Sequence, residues 1–400
     1  MKKTILDADV TDKRILVRVD LDVPPENRTP ADEARIRSAL PTIHYLVREK
    51  ARVILCGHLS QSTAEVADEA DLNPLRDQLS ELLQLEIVNV DDCVGPAVRR
   101  AVDELKPGDV LLLGNTEFYA GEKKNNPVFA SELASIADLY VNDDFTTAHL
   151  SLASTEGAAH HLPAVAGLSF ARQLDGLQRV REEPERPFVA VLGGSTLADK
   201  IGVIEHLLEQ VDWLLVGGGV AMTFLKALGF EVGPPHSVAQ HQGAAMRLMK
   251  NAGHTLVTPV DVVIGDDITA DSERRTVSVR DVASDSYVLD IGKRSVELFR
   301  EKLASARTVV WYGALGAAEV PTTTQGDTQM ARMLAKLDAD SIVGGREAVA
   351  AVEHAGVAEK LTLLSTGEET FLALLGNREL PGVRVLEDKN GSAPQSQSAS

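Results

Sequence analysis

Short apolar runs alternate along this chain of 400 residues with longer stretches in which apolar residues return every three or four positions. In the first half the runs are Arg14–Val19 before Asp20, 53–56 before Gly57-His58, 110–113 before Gly114-Asn115, and 139–141 before Asn142-Asp143. Segments such as ARIRSALPTIHYLVREK and NPVFASELASIADL lie between them and carry the helical period. This alternation predicts an α/β fold, with parallel strands joined by crossover helices and covered on both faces.

The second half repeats the pattern with more glycine. Phe188–Leu192 precedes Gly193-Gly194, Trp213–Val216 precedes Gly217-Gly218-Gly219, and 262–264 precedes Gly265. The run 308–311 leads into Tyr312-Gly313-Ala314-Leu315-Gly316, 341–343 precedes Gly344-Gly345, and 361–364 leads into Ser365-Thr366-Gly367. Glycine after a strand lets the backbone approach a ligand and opens a helix whose first N–H groups favour an anion. Such turns suggest a nucleotide-type domain, although glycine is also the ordinary residue of a tight strand-to-helix turn. In open α/β sheets ligands bind at the carboxyl ends of strands, so two such domains are expected to face each other across a cleft.

The expected organisation is an N-terminal domain over 1–166, an interdomain helix and linker over 167–186, and a nucleotide-binding-type domain over 187–375. A segment over 376–388 follows, and a polar, small-residue tail over 389–400 is expected to be disordered.

Charge narrows the class. Lys+Arg 40 against Asp+Glu 59 leaves a formal charge of -19, which argues against a general binder of nucleic acid or anionic membrane. The only two cysteines, Cys56 and Cys93, argue against a disulfide framework and against a cysteine-ligated zinc site. The start, MKKTILDADV, lacks the apolar core of a signal peptide, and no apolar run reaches the ~18 residues of a membrane helix. A cytoplasmic protein is expected.

The strings RVDLDVP, ARIRSALPTI, ARVILCGHL, VLLLGNTEF, YVNDDFTTAH and LASTEG resemble, in order, the N-domain signatures of phosphoglycerate kinases. RPFVAVLGGSTLADK, VDWLLVGGGVAMTFLKALGFEVG, LDIGKRSVELF, TVVWYGALG, IVGGREAVAAVE and LSTGEET resemble the family's C-domain signatures. The resemblance implies two Rossmann-like domains, usually a monomer, with hinge closure between them, an acid-substrate-type domain over 1–166 and the segment 376–388 returning to it. It implies Mg-ATP or Mg-ADP as nucleotide, and phosphoryl transfer between that nucleotide and the carboxyl group of 3-phosphoglycerate.

By the same resemblance Asp20, Arg35 and His58 match substrate-binding positions, and Asp22 stands where the family has asparagine. Arg18 matches with a less direct role. Gly193, Gly194, Lys200, Gly217, Gly218, Gly219 and Glu319 match the nucleotide side, with Glu347 as a longer form of the aspartate that serves Mg-nucleotide. Arg35 and Lys200 are the implied catalytic cations. Other positions depart from the pattern. Gln61, Glu117 and Leu150 replace three arginines, and Thr196 replaces a lysine. Tyr312 and Ala314 replace asparagine and proline, Arg346 and Ala348 alter a phosphate-holding turn, and Glu368-Glu369 replace two glycines.

A charged hydrogen bond contributes ~1.5–3 kcal/mol, so losing three arginines removes roughly 4–9 kcal/mol, or three to six orders of magnitude in affinity. Asp20, Asp22, Glu117 and Asp144 beside His58 would then form an acidic pocket. It suits an amine-bearing ligand or a metal ion, or its acids are simply solvated. His160-His161 do not share a helix face and are expected to be structural or surface residues. Three functions stay open. One is a non-catalytic or re-specified relative with degraded 3-phosphoglycerate and phosphoryl-transfer sites, another an ATP-dependent kinase acting on another carboxylate, and the third a phosphoglycerate kinase with compensating residues.

Overall fold

The computed structural model describes residues 1–21, 30–58, 72–234, 241–269, 273–317, 325–365 and 367–389, with only the backbone for 30–34. It divides into two compact units, one of residues 1–175 with 379–400 and the other of residues 176–378. The helix Leu168–Glu182 carries the chain from the first to the second.

The first unit is built on β1 (Arg14–Val19), β2 (Arg52–Gly57), β3 (Ile87–Asn89), β4 (Val110–Asn115), β5 (Leu139–Asp143) and β6 (Ala164–Ala166). They form one sheet in the order β3-β4-β2-β1-β5-β6, with every pairing parallel. All six positions of β4 are buried, as a strand covered on both faces requires. The helix Pro30–Arg48 sets Ile36, Ala39, Ile43 and Leu46 against Ile15, Val17, Val53 and Leu55. That spacing is one helical face meeting one pleat of two neighbouring strands. The end of the chain packs here too. Lys3 N–H donates to the Glu387 carbonyl at 2.7 Å, Arg384 pairs with Glu156 at 2.6 Å, and Lys389 pairs with Asp7 at 3.1 Å. Lys389, the first residue of the expected tail, is therefore held; 390–400 lie outside the described residues.

The second unit contains β7 (Phe188–Leu192), β8 (Trp213–Val216), β9 (Leu256–Val257), β10 (Asp261–Gly265), β11 (Arg274–Ser278), β12 (Tyr287–Ile291), β13 (Thr308–Tyr312), β14 (Asp340–Gly344) and β15 (Leu363–Ser365). Six of them form a parallel sheet in the order β15-β14-β13-β7-β8-β9. Trp311, Val309, Val189 and Val191 lie on one face beneath Phe299, Leu303, Met330 and Val352.

One expectation fails in this unit. The run 262–264 was expected to be another parallel strand turning through Gly265 into a helix. Instead β10 is the centre of a separate antiparallel sheet, β11-β10-β12. A three-residue apolar run carries no information about strand direction, and β11 is too polar and half-exposed to register as a buried strand. The following helix, Lys293–Leu303, is instead fixed by Asp261, whose carboxylate accepts from the backbone of Arg294 at 3.1 Å and Ser295 at 2.8 Å.

Candidate functional site

In the first sheet β4, β2, β1 and β5 are neighbours, so their carboxyl ends collect side chains from four distant stretches of sequence. Asp20 follows β1, His58 follows β2, Thr116-Glu117 follow β4, and Asp144 to Thr146 follow β5. Thr116 ties two of these ends together by donating its hydroxyl to the Gly57 carbonyl at 3.1 Å.

Each cation here is matched by a carboxylate. Arg35 pairs with Asp20 at 3.1 Å, and Asp20 also accepts from the Thr146 hydroxyl at 2.6 Å. Arg18 pairs with Asp144 at 2.8 Å, Lys123 with Glu117 at 2.6 Å, and His58 with Glu122 at 2.9 Å. Asp144 therefore does not join an open acidic pocket. It is turned inward, 1% exposed, onto a guanidinium that is itself fully buried. Leu150 is 38% exposed and brings no charge. Asp22 and Gln61 lie outside the described residues. Exposed His160 lies 3.8 Å from Glu156. Among the described residues no group of three or more His, Cys, Asp or Glu is placed to hold a metal ion.

The second unit gathers its candidates at the carboxyl ends of β7, β8, β13, β14 and β15. A Cβ on Gly193 would lie 2.0 Å from the Ala314 carbonyl oxygen, and one on Gly219 would lie 2.0 Å from that of Ser195. Backbone packing alone thus demands glycine at both positions. Gly194, Gly217 and Gly218 complete the same turns, with the helix Gly218–Ala227 starting from them. That helix and those of Arg346–His354 and Glu368–Leu375 each begin at a glycine with no side-chain cap, and in the first of them the N–H groups of Gly218 and Val220 already donate to the Leu315 and Gly194 carbonyls at 2.9 and 3.3 Å. Glu347, Glu368 and Glu369 occupy the first turns of the latter two helices, and Arg346 pairs with Glu368 at 3.2 Å. Ala348 is buried in the core.

Lys200 is 5% exposed in its side chain, with its ammonium 2.6 Å from Asp199 and 3.3 Å from the Thr196 carbonyl. Thr196 uses its hydroxyl on the backbone of Ala198 at 3.1 Å. The same ammonium lies 5.7 Å above the Tyr312 ring, which stacks on Phe371 at 5.6 Å. Burial, with Glu368, Asp199, Glu347 and Glu369 around it, pushes the Tyr312 phenol far above its usual range. Glu319 lies outside the described residues.

Several supporting residues are given no role by the sequence, although Ser154 stands in LASTEG and Asp290 in LDIGKRSVELF. Glu122 and Lys123 sit in a charged loop outside the quoted strings. Asp290 and Asp327 brace the end of the second sheet, where Asp290 accepts from the Gly326 N–H at 2.8 Å and Asp327 from that of Leu315 at 2.7 Å. Burial pushes both carboxyls up to about 7. Only the long-range contacts reveal them.

A family model described as phosphoglycerate kinase matches residues 5–378. The chain belongs to the phosphoglycerate kinase family. It is 46% identical to the phosphoglycerate kinase of Pelotomaculum thermopropionicum over 391 residues, covering 97% of this chain and 100% of the relative. It is 44% identical to that of Rubrobacter xylanophilus over 388 residues, covering 97% and 99%. Among solved structures, the phosphoglycerate kinase of Pyrococcus horikoshii superposes with a TM-score of 0.87 at 30% identity, covering 96% of this chain and 98% of that one. That of Coxiella burnetii gives 0.84 at 33%, again covering 96% and 98%. Kinase and transferase character comes with the family.

Proposed function

We propose that this phosphoglycerate kinase relative keeps a Mg-nucleotide site and has a re-specified acceptor site. It would transfer phosphoryl groups between nucleotide and a carboxylate of lower negative charge than 3-phosphoglycerate, or one bearing an amine. One observation carries this reading. The basic groups at the strand ends of the first unit, the cations Arg35, Arg18 and Lys123 and the imidazole of His58, each face a carboxylate of the chain itself. A trianionic acceptor would have to compete with those carboxylates, with Leu150 adding no compensating charge. Each charged hydrogen bond not made forgoes ~1.5–3 kcal/mol.

The nucleotide side supports binding more than it supports speed. Lys200 and the glycine-led start of the helix Arg346–His354 offer phosphate donors. Thr196 leaves developing charge on a transferring phosphoryl group with one cation fewer than the family pattern. Such groups commonly contribute ~3–4 kcal/mol to the transition state.

Efficient turnover of 3-phosphoglycerate is the competing reading, favoured by 46% identity across the whole length of a phosphoglycerate kinase and by retention of Arg35 and Lys200. A coupled assay with Mg-ATP separates the two. Saturable, rapid consumption of 3-phosphoglycerate establishes the competing reading. Slow consumption alongside faster turnover of a panel of hydroxy- and amino-carboxylates supports the proposal.

A further inference from the structure

His58 Nε2 lies 2.9 Å from Oε1 of Glu122, while its Nδ1 makes no hydrogen bond among the described residues. Glu122 comes from the charged turn after the Thr116–Phe118 segment, yet its side chain is sealed from solvent. Ser154 accounts for the burial. Its backbone N–H donates to Oε2 of Glu122 at 3.0 Å and its hydroxyl donates to Oε1 at 2.5 Å.

Ser154 is in turn anchored from behind. Arg18 Nε donates to its hydroxyl oxygen at 3.0 Å, and the Tyr140 hydroxyl donates to its carbonyl at 2.7 Å. Arg18 is held by Asp144 at 2.8 Å and by the Val19 carbonyl at 2.7 Å. A buried line of polar contacts therefore runs from the core pair to the ring that follows β2. Burial raises the Glu122 carboxyl, but the hydrogen bond from His58, the Arg18 charge and the Ser154 hydroxyl outweigh it and hold the group below its ordinary range.

Resting on the acceptor-site reading above, the geometry points to Glu122 as a positioning residue. Through its Ser154–Arg18 anchor it fixes a hydrogen on Nε2 of His58 and leaves Nδ1 as the ring atom presented to the acceptor. A carboxylate only accepts, so the nitrogen facing it carries the hydrogen. In the neutral ring Nδ1 is then a bare acceptor, suited to a hydroxyl or ammonium of the acceptor molecule rather than to a phosphate oxygen. The acceptor class is thereby narrowed to carboxylates with a nearby hydrogen-bond donor.

Glu122→Gln tests this without any ligand. The backbone N–H of Ser154 cannot turn, so the amide oxygen must take the Oε2 place. The NH2 group then falls where Oε1 was and donates to Nε2, which moves the ring hydrogen to Nδ1. Long-range proton–nitrogen spectra at pH 8.5, with His58 assigned by its loss in His58→Gln, read the tautomer directly. The expected result is an Nε2–H ring in the wild type and in Ser154→Ala, which keeps the backbone donor, and an Nδ1–H ring in Glu122→Gln. An Nδ1–H ring in the wild type overturns the proposal, as does an unchanged ring in a Glu122→Gln variant whose amide spectrum shows the native fold. Should Glu122→Gln fail to fold, the wild-type and Ser154→Ala spectra still decide. No turnover is involved, so failure of the acceptor-site reading would appear separately, in the coupled assay.

Discussion

Arg18 and Asp144 meet at 2.8 Å with side chains 0% and 1% exposed, an ion pair closed inside the first unit where β1 and β5 run side by side. The guanidinium has already balanced this carboxylate, so Asp144 is withdrawn from the ligand-facing side. One further nitrogen of Arg18, Nη2, has no hydrogen-bond partner, which leaves the pair as its main compensation.

Removing one partner of such a pair should be costly. Asp144→Ala is expected to lower stability by about 3–5 kcal/mol, because it strands a buried cation. Urea unfolding followed by tyrosine and tryptophan fluorescence measures it. A loss below about 1 kcal/mol would mean that water reaches Arg18.

Ligand binding should separate the two units. A ligand that binds only the native state stabilises it by about 2.7 kcal/mol at a hundred times its dissociation constant. Millimolar Mg-ADP is expected to raise the melting temperature, and Lys200→Ala to abolish most of that rise. The same concentration of 3-phosphoglycerate is expected to leave it unchanged. A rise with 3-phosphoglycerate as large as that with Mg-ADP would refute the account of the acceptor site.

Charge restoration should act in the opposite direction. Glu117→Arg frees Lys123 from its 2.6 Å pair and supplies a fork donor, and Leu150→Arg supplies another from an exposed position. At ~1.5–3 kcal/mol each, the double variant should bind 3-phosphoglycerate at least a hundredfold more tightly, as measured by calorimetry. No gain at all would show that the backbone of the pocket has diverged as well.

Stability should fall as pH rises through neutrality. Burial pushes Asp143, Asp290 and Asp327 up to about 7 from the ordinary carboxyl value of 3.8. A carboxyl whose folded pKa is raised contributes stability that is fully present below its unfolded pKa and is lost as pH climbs through the folded value. The window is therefore about pH 4 to 7. The depressed carboxyls Glu122, Asp7 and Asp138 act instead at more acid pH, in the opposite sense. Melting temperatures between pH 5.5 and 8 should decline, and Asp327→Asn should flatten that decline. A melting temperature that climbs across this range would contradict the burial argument.

Much of the fold was legible because its signals are local. An apolar run of four to six residues between polar ends, such as Phe188–Leu192, states that a strand is buried on both faces, whatever its neighbours. The β10–β12 sheet was not legible, since pairing direction depends on where a distant partner lies. The same division holds at the candidate site. Arg35, His58, Lys200 and Ser154 stand in recognisable strings, whereas Glu122 and Lys123 acquire meaning only from a contact 64 residues away or from a loop that folds back.

By itself the sequence determined the alternating architecture and the family, because residue identity and periodicity are properties of the chain alone. Tertiary structure decided which charges remain available to a ligand. Whether Asp144 faces solvent or Arg18, and whether Glu122 is a loop acid or the partner of His58, is settled by proximity among side chains that the folded sheet brings together.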